Sequence, residues 1–333
     1  MPKRHGHLYE QVFDLENLEW AHHFASQGKR KRKIIQWTET NKGDCLLTLQ
    51  WLLKEGLFET GEYENFIVNE RGKERYIYVL PYFPDRILHH AIVQVLAPIW
   101  HAWFIRDTYG SIPNRGVHDA LKRMQRAMRS DPGGTRYCLK CDIRKYYPSV
   151  DHDRLKLHLR RKIKDKQMLA LLDEIIDSAP GIPIGNYLSQ YFGNIALTPF
   201  DHWLKDEKRV KHYFRYVDDL IVFAKDKRTL HLLLREMKEQ LKKEHLELKP
   251  NHQVFPPHIE GVDFLGYRTF TEYRLMRRSI RGHAIKAVRQ YRKGTLRFNK
   301  LRCSMGSWYG WGKFARNQKF LRDTVWPIMR TKP

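Results

Sequence analysis

The chain has 333 residues, enough for a sizeable core shared among two or three subdomains, and it carries 61 Lys and Arg against 37 Asp and Glu, a formal net charge of +24. Such an excess, spread from the N-terminal residues to the last few, repels itself unless a polyanion is at hand, so a phosphate-backbone partner is the economical account. No apolar run approaches the roughly 20 residues that span a bilayer, and Met1-Pro2-Lys3-Arg4-His5 lacks the apolar segment of a signal peptide; composition argues for a soluble, intracellular chain without a membrane partner.

The first forty-odd residues are polar and aromatic and include Lys29-Arg30-Lys31-Arg32-Lys33, which reads either as a solvated face or as a nucleic-acid contact. Leu46 to Leu57 has helical apolar spacing, and Tyr63 to Leu80 alternates as a hairpin around a turn at Arg71-Gly72-Lys73. After Pro84, the stretch Asp85 to Trp100 has the length and apolar density of a buried helix, and a second helix begins near Val117. Asp131-Pro132-Gly133-Gly134 breaks the chain before a strand that starts at Tyr137 and ends in Asp142. Helical patterns follow at 152–178 and 186–207. Tyr213-Phe214 and Leu220-Ile221-Val222-Phe223 then flank Tyr216-Val217-Asp218-Asp219 as two strands of a hairpin with the acids at its turn. A helix over about 226–245, a short aromatic strand between Gly261 and Phe270, and a basic helical remainder with Ser307-Trp308-Tyr309-Gly310-Trp311 complete the chain. Cys45, Cys138, Cys141 and Cys303 are too few and scattered for a disulfide framework. Cys138-Leu139-Lys140-Cys141 has zinc-like spacing, but no second Cys/His pair matches it, so ordinary strand residues are the better reading.

The acids carry the chemistry. Two carboxylates at a tight turn make a hard-oxygen site for Mg²⁺, although a lone Asp-Asp pair is usually a solvated turn. A third carboxylate, Asp142, at the end of an earlier strand completes what a palm-type polymerase needs to hold two Mg²⁺ ions for in-line displacement on an α-phosphate. Asp142 and Asp218 are the expected ligands to both metals and Asp219 a weaker or indirect one; Ile143, beside Asp142, is counted in the metal set. Tyr147, shortly after Asp142, is placed either as a core aromatic or beneath the sugar of an incoming nucleotide. Gly185, in Gly181-Ile182-Pro183-Ile184-Gly185-Asn186-Tyr187-Leu188-Ser189-Gln190, lets backbone approach a ligand closely; Ile184 and Gln190 join it in the nucleotide set. Lys73 and Arg75 flank Glu74 on the hairpin, where an ammonium and a guanidinium would grip a triphosphate, or where alternating charge merely solvates an exposed strand.

Taken in order, these segments resemble a reverse transcriptase across nearly the whole chain. Lys73-Glu74-Arg75, Asp85-Arg86 and Arg115-Gly116-Val117-His118 look like fingers motifs, Asp142, Gly185 and Asp218-Asp219 like the palm, and Phe264-Leu265-Gly266-Tyr267 like a primer grip. Ile184-Gly185-Asn186-Tyr187-Leu188-Ser189-Gln190 is similar to the box of diversity-generating retroelement enzymes, as are the basic start Lys3-Arg4-His5-Gly6-His7-Leu8-Tyr9 and the small thumb with Ser307-Trp308. The resemblance implies an α+β right-hand polymerase fold: a basic extension over 1–45, fingers over 46–135, a palm of antiparallel sheet backed by helices over 136–267, and a helical thumb over 268–333. It implies an RNA template, a cDNA product, dNTPs with Tyr147 as steric gate, and two Mg²⁺ ions with Mn²⁺ as substitute. It also implies misincorporation at template adenines, with Ile184 and Arg75 bearing on fidelity, and a small basic pentameric accessory protein. Arg115, Tyr216, Leu265, Gly266 and Tyr267 would contact primer and template, in the cytoplasm of a bacterial host or from a phage.

Two features depart from the pattern. Trp311 stands near where the thumb motif carries a histidine, and Leu248-Lys249-Pro250-Asn251-His252-Gln253 has no clear lysine box, leaving Lys249 as the candidate general acid. A bacterial antiviral-defence reverse transcriptase working from its own structured RNA would share every catalytic residue. A polymerase fold kept only to bind RNA would have no use for the mutual repulsion of three clustered acids.

Overall fold

The computed structural model describes residues 3–70 and 73–330. In chain order, α1 (Leu15–Ser26), α2 (Lys33–Thr40) and α3 (Lys42–Lys54) precede the hairpin β1 (Glu64–Glu70) and β2 (Lys73–Val79). Next come α4 (Ile87–Trp103), α5 (Val117–Ser130), β3 (Tyr137–Asp142), α6 (His152–Arg160), α7 (Lys166–Asp177) and α8 (Tyr187–His202). The hairpin β4 (Tyr213–Tyr216) and β5 (Asp219–Ala224) leads to α9 (Lys227–Lys242) and β6 (Gln253–Phe255). Short strands β7 (Val262–Phe264), β8 (Tyr267–Thr269) and β9 (Arg274–Met276) precede α10 (Arg278–Arg292) and α11 (Phe298–Lys313).

The chain forms two compact units, each assembled from separated segments: residues 1–111, 142–209 and 236–249 in the first, and 112–141, 210–235 and 250–333 in the second. The first is built on α4, against which α1 and α8 pack. Its Ile87, Leu88, Ile92, Leu96 and Trp100 are fully buried. Each aliphatic side chain so buried contributes roughly 1.5–3 kcal/mol of transfer free energy, which is why this helix reads as an apolar run rather than as an amphipathic stripe. The antiparallel hairpin β1–β2 pairs Val68 with Arg75 and Glu70 with Lys73. Its tip, Arg71-Gly72, and the side chain of Lys73 lie outside the described residues.

In the second unit the strands follow the order β4–β5–β3–β6, with β4–β5 and β3–β6 antiparallel, and α5 packs on β4. This is an α+β arrangement of antiparallel strands backed by helix. A separate core joins α10 and α11 through Met276, Ile280, Ala284, Val288, Leu301 and Met305. No helix among the described residues is long and apolar enough to cross a membrane.

Two expectations change. The helical pattern over 152–178 is broken between α6 and α7, because this segment exchanges backbone hydrogen bonds with the N-terminus, His5 N to Lys162 O and Lys164 N to His5 O, both at 2.8 Å. Asp165 then caps α7 while its carboxylate also accepts from Leu8 N at 2.7 Å and Tyr9 N at 3.0 Å. The single strand between Gly261 and Phe270 is instead the hairpin β7–β8. Phe264 pairs with Tyr267 across Leu265 (φ 50) and Gly266 (φ 83), the double positive φ of a type I′ turn. Cys138 and Cys141, buried on β3, are strand residues as read.

Candidate active site

In the first unit, Asp142 ends β3 and the chain is immediately fastened to the segment after α9. Arg144 N donates to Glu247 O and Lys249 N to Asp142 O, both at 2.8 Å, with an antiparallel bridge from Ile143 to Leu248. That ladder delivers Lys249 Nζ onto Asp142 Oδ1 at 2.5 Å. Lys249 therefore stands as the ionic partner of Asp142, each about 30% exposed, at 31% and 29%. Ile143 is fully buried, its backbone included.

Beyond Asp142 the backbone turns through Lys145 in the left-handed region (φ 44) into a short helical turn carrying Tyr146 and Tyr147. The Tyr146 hydroxyl donates to the Gly193 carbonyl of α8. Tyr147 is half-buried, and its ring lies 3.4 Å from where a Cβ on Gly193 would stand. Ile182 N donates to Tyr147 O at 2.8 Å, tying this turn to the glycine box. The box in turn is pinned to β2: Tyr78 N donates to Ile184 O at 2.8 Å. Gly185 has φ +127, and a Cβ there would stand 2.4 Å from Tyr78 O. The close approach that Gly185 permits is thus to the β2 backbone, one of the chain's own strands. Ile184 is half-buried and Gln190 exposed on the first turn of α8. Arg75 is exposed on β2, close in sequence to the residues so pinned.

In the second unit, Tyr216 pairs with Asp219, leaving Val217-Asp218 as a two-residue loop. Val217 has φ 56. A β-branched residue in the left-handed region is strained by about 1–3 kcal/mol, and hairpin loops of this kind favour glycine there. The strain is held by Arg215, whose side chain is fully buried and whose Nη1 donates to Val217 O at 3.0 Å. Asp218 and Asp219 are half-buried at successive positions of turn and strand. Tyr216 is half-buried, and burial pushes its phenol above the ordinary value. Arg215 escaped the sequence reading. Its signal was period-two alternation, which sets Arg215 on the face of the buried Tyr213 and asks a cation to be satisfied internally.

The remaining expected contacts divide. Leu265 is half-exposed, but Gly266 and Tyr267 are buried. Tyr267 stacks on Trp311 at 4.9 Å, and a Cβ on Gly266 would stand 2.4 Å from the Trp311 ring. Tyr267 therefore supports the turn from beneath and offers no surface to a primer; an indole at 311 supplies the ring that fills this place. Arg115 is half-buried just before α5.

The donors available to a metal are carboxylates, the hard oxygens that Mg²⁺ takes, and Asp142 already receives one cationic group through Lys249. The donor chemistry fits. Among the described residues no group of three or more His, Cys, Asp or Glu side chains is placed to hold a metal; Mg²⁺ needs only one or two protein carboxylates beside water and phosphate.

The family description "Reverse transcriptase (RNA-dependent DNA polymerase)" matches residues 64–269, more than half of the chain. Protein YkfC of Escherichia coli (strain K12) is 26% identical over 249 residues, covering 61% of this chain and 65% of that protein. The group II intron-encoded protein LtrA of Lactococcus lactis subsp. cremoris is 27% identical over 150 residues, covering 42% of this chain and 24% of LtrA. The chain thus spans less than two thirds of the length of either relative. Among solved structures, apo telomerase from Candida tropicalis aligns with a TM-score of 0.50 at 14% identity, over 66% of this chain and 49% of that one, a likeness of fold.

Proposed function

The chain belongs to the reverse transcriptase family, and from that membership we propose that it is an RNA-directed DNA polymerase that copies a dedicated RNA into cDNA. The observation that carries the reading is the Val217-Asp218 loop, a strained turn braced by a buried arginine, because strain of this kind persists where it aims a functional group.

In this reading Asp142, Asp218 and Asp219 hold two Mg²⁺ ions, with the Ile143 backbone beside them. Bound Mg²⁺ supplies Lewis-acid charge that lowers the pKa of the primer 3′-hydroxyl and neutralises the triphosphate. The ion pair with Lys249 orients the Asp142 carboxylate. Arg75 on β2 grips the triphosphate with Lys73 as the second expected cation of that strand, and Tyr147 beneath the sugar excludes a 2′-hydroxyl. Arg115, Tyr216 and Leu265 face primer and template, with fingers, palm and thumb as the working parts.

The box Ile184-Gly185-Asn186-Tyr187-Leu188-Ser189-Gln190 supports a finer assignment, that of a diversity-generating retroelement enzyme. Such an enzyme errs at template adenines and works with a small basic pentameric protein. The test is sequencing of the cDNA that accumulates in the native cell, with Asp218→Asn as control. We expect aspartate-dependent cDNA with errors opposite template adenines, and RNA binding retained in the variant. Accurate cDNA would remove the finer assignment and favour a defence enzyme. Equal loss of RNA binding and synthesis in Asp218→Asn would remove Asp218 from the chemistry.

A further inference from the structure

The first unit contains a cavity of about 380 Å³ that no aspartate lines, walled by the loop after α1, the start of α2, and the segment from Val79 to Arg86. Three cations face it: Lys29, Arg32 and Arg86. Lys29 and Arg86 are half-buried, and none of the three forms an ion pair among the described residues. Glu62 and Glu64 also reach the cavity but are exposed and form no ion pair with the cations. Burial, then the neighbouring cations, pull Lys29 and Arg86 below their ordinary values. Nearby His90 is lowered to about 4 by burial, Lys29 and Arg86, so it adds no charge at neutral pH.

Hydrogen bonds tie these walls together. The Tyr82 hydroxyl meets His22 Nδ1 of α1 at 2.8 Å, and His22 Nε2 meets Glu39 of α2 at 2.8 Å, bracing together the elements that carry the cations. Like charges held in place and partly withdrawn from water are unfavourable unless an anion completes them. Two guanidinium forks and an ammonium match the oxygens of a phosphate. Arg30, Lys31 and Lys33 continue the positive charge outside the cavity as exposed residues, which fits a phosphate with further phosphates following it. Trp20 and Phe24 of α1, exposed and stacked at 5.8 Å, offer rings of the kind on which unpaired bases lie.

We propose that Lys29, Arg32 and Arg86 form a seat for a backbone phosphate of a single RNA strand. That the strand is RNA rests on the polymerase reading above; the phosphate seat itself does not. The test measures binding of a short single-stranded RNA to the full chain by fluorescence anisotropy across a salt series, for wild type, the double variant Lys29→Gln/Arg32→Gln, and Arg86→Gln. The double variant changes side chains of a loop and a helix start, so folding survives if Arg86→Gln does not.

The slope of log affinity against log salt is expected to flatten by about 0.7 for each phosphate that the variant no longer neutralises. An unchanged slope and affinity in the double variant overturns the proposal. A raised KM for dNTPs with an unchanged RNA slope also overturns it, since the seat would then serve a free nucleotide. DNA synthesis on a saturating template–primer separates the two readings. A flattened slope in a protein that makes no DNA removes the polymerase reading alone, and intact synthesis with an unchanged slope removes the seat alone.

Discussion

Replacing Gly185 by alanine tests whether the seam between β2 and the glycine box is as tight as described. The new Cβ would stand 2.4 Å from Tyr78 O and 3.1 Å from Ile77 Cγ2, where real Cβ atoms keep at least 3.0 Å. Backbone has to yield by about 0.6 Å, the difference between 3.0 and 2.4 Å, because the obstacle is a carbonyl and not the end of a flexible side chain. The φ of +127 adds strain of about 1–3 kcal/mol for an L-residue. Stretching the hydrogen bond from Tyr78 N to Ile184 O forfeits about 0.5–1.5 kcal/mol more. The sum, roughly 2–4 kcal/mol, is read as a lower melting temperature by circular dichroism, by about 2–4 °C per kcal/mol for domains of this order of size. Gly43→Ala in α3 is the matched control, since a Cβ there meets nothing within 4 Å. In the polymerase reading the displaced β2 also raises the KM for dNTPs. A Gly185→Ala protein that melts and polymerises like the wild type would refute the seam and with it the argument that Gly185 serves β2.

Glu244 supplies a pH dependence. Burial works to raise its pKa, but hydrogen bonds from His158 at 2.7 Å and Arg154 at 2.8 Å, with their charge, hold it down to about 2 from an ordinary 4.5. A depressed carboxylate stabilises the fold above its unfolded pKa and loses that contribution as pH falls through its folded one, here between about 4.5 and 2, with an upper limit of roughly 3 kcal/mol. Glu244→Gln should therefore melt below wild type at pH 7, and the two melting curves should converge towards pH 2; parallel curves would refute the assignment. Arg215→Met should release the Val217 turn and cut DNA synthesis at least tenfold while RNA affinity holds, with partial rescue by Arg215→Lys, which keeps one donor but not the fork. Undiminished synthesis would show that the turn holds its shape without the guanidinium.

What a short stretch of chain encodes was legible from the residues alone. Alternation placed both strands of the β1–β2 hairpin, and runs of aromatic and β-branched residues placed the two strands around Asp218-Asp219, because each pairing is closed by neighbours in sequence. The apolar density of α4 announced a buried helix for the same reason. The segment from Gly261 to Phe270 was legible as strand, but not that it doubles back as the hairpin β7–β8 seated on Trp311, since Trp311 lies far along the chain. Tertiary structure alone put Lys249 on Asp142, Gly185 under Tyr78, and Lys29 and Arg32 beside Arg86. Each of these juxtapositions closes a long loop; the first two contribute a few kcal/mol at most, and the three cations repel one another. Each is selected only by the packing of everything between its two ends, which no local pattern records.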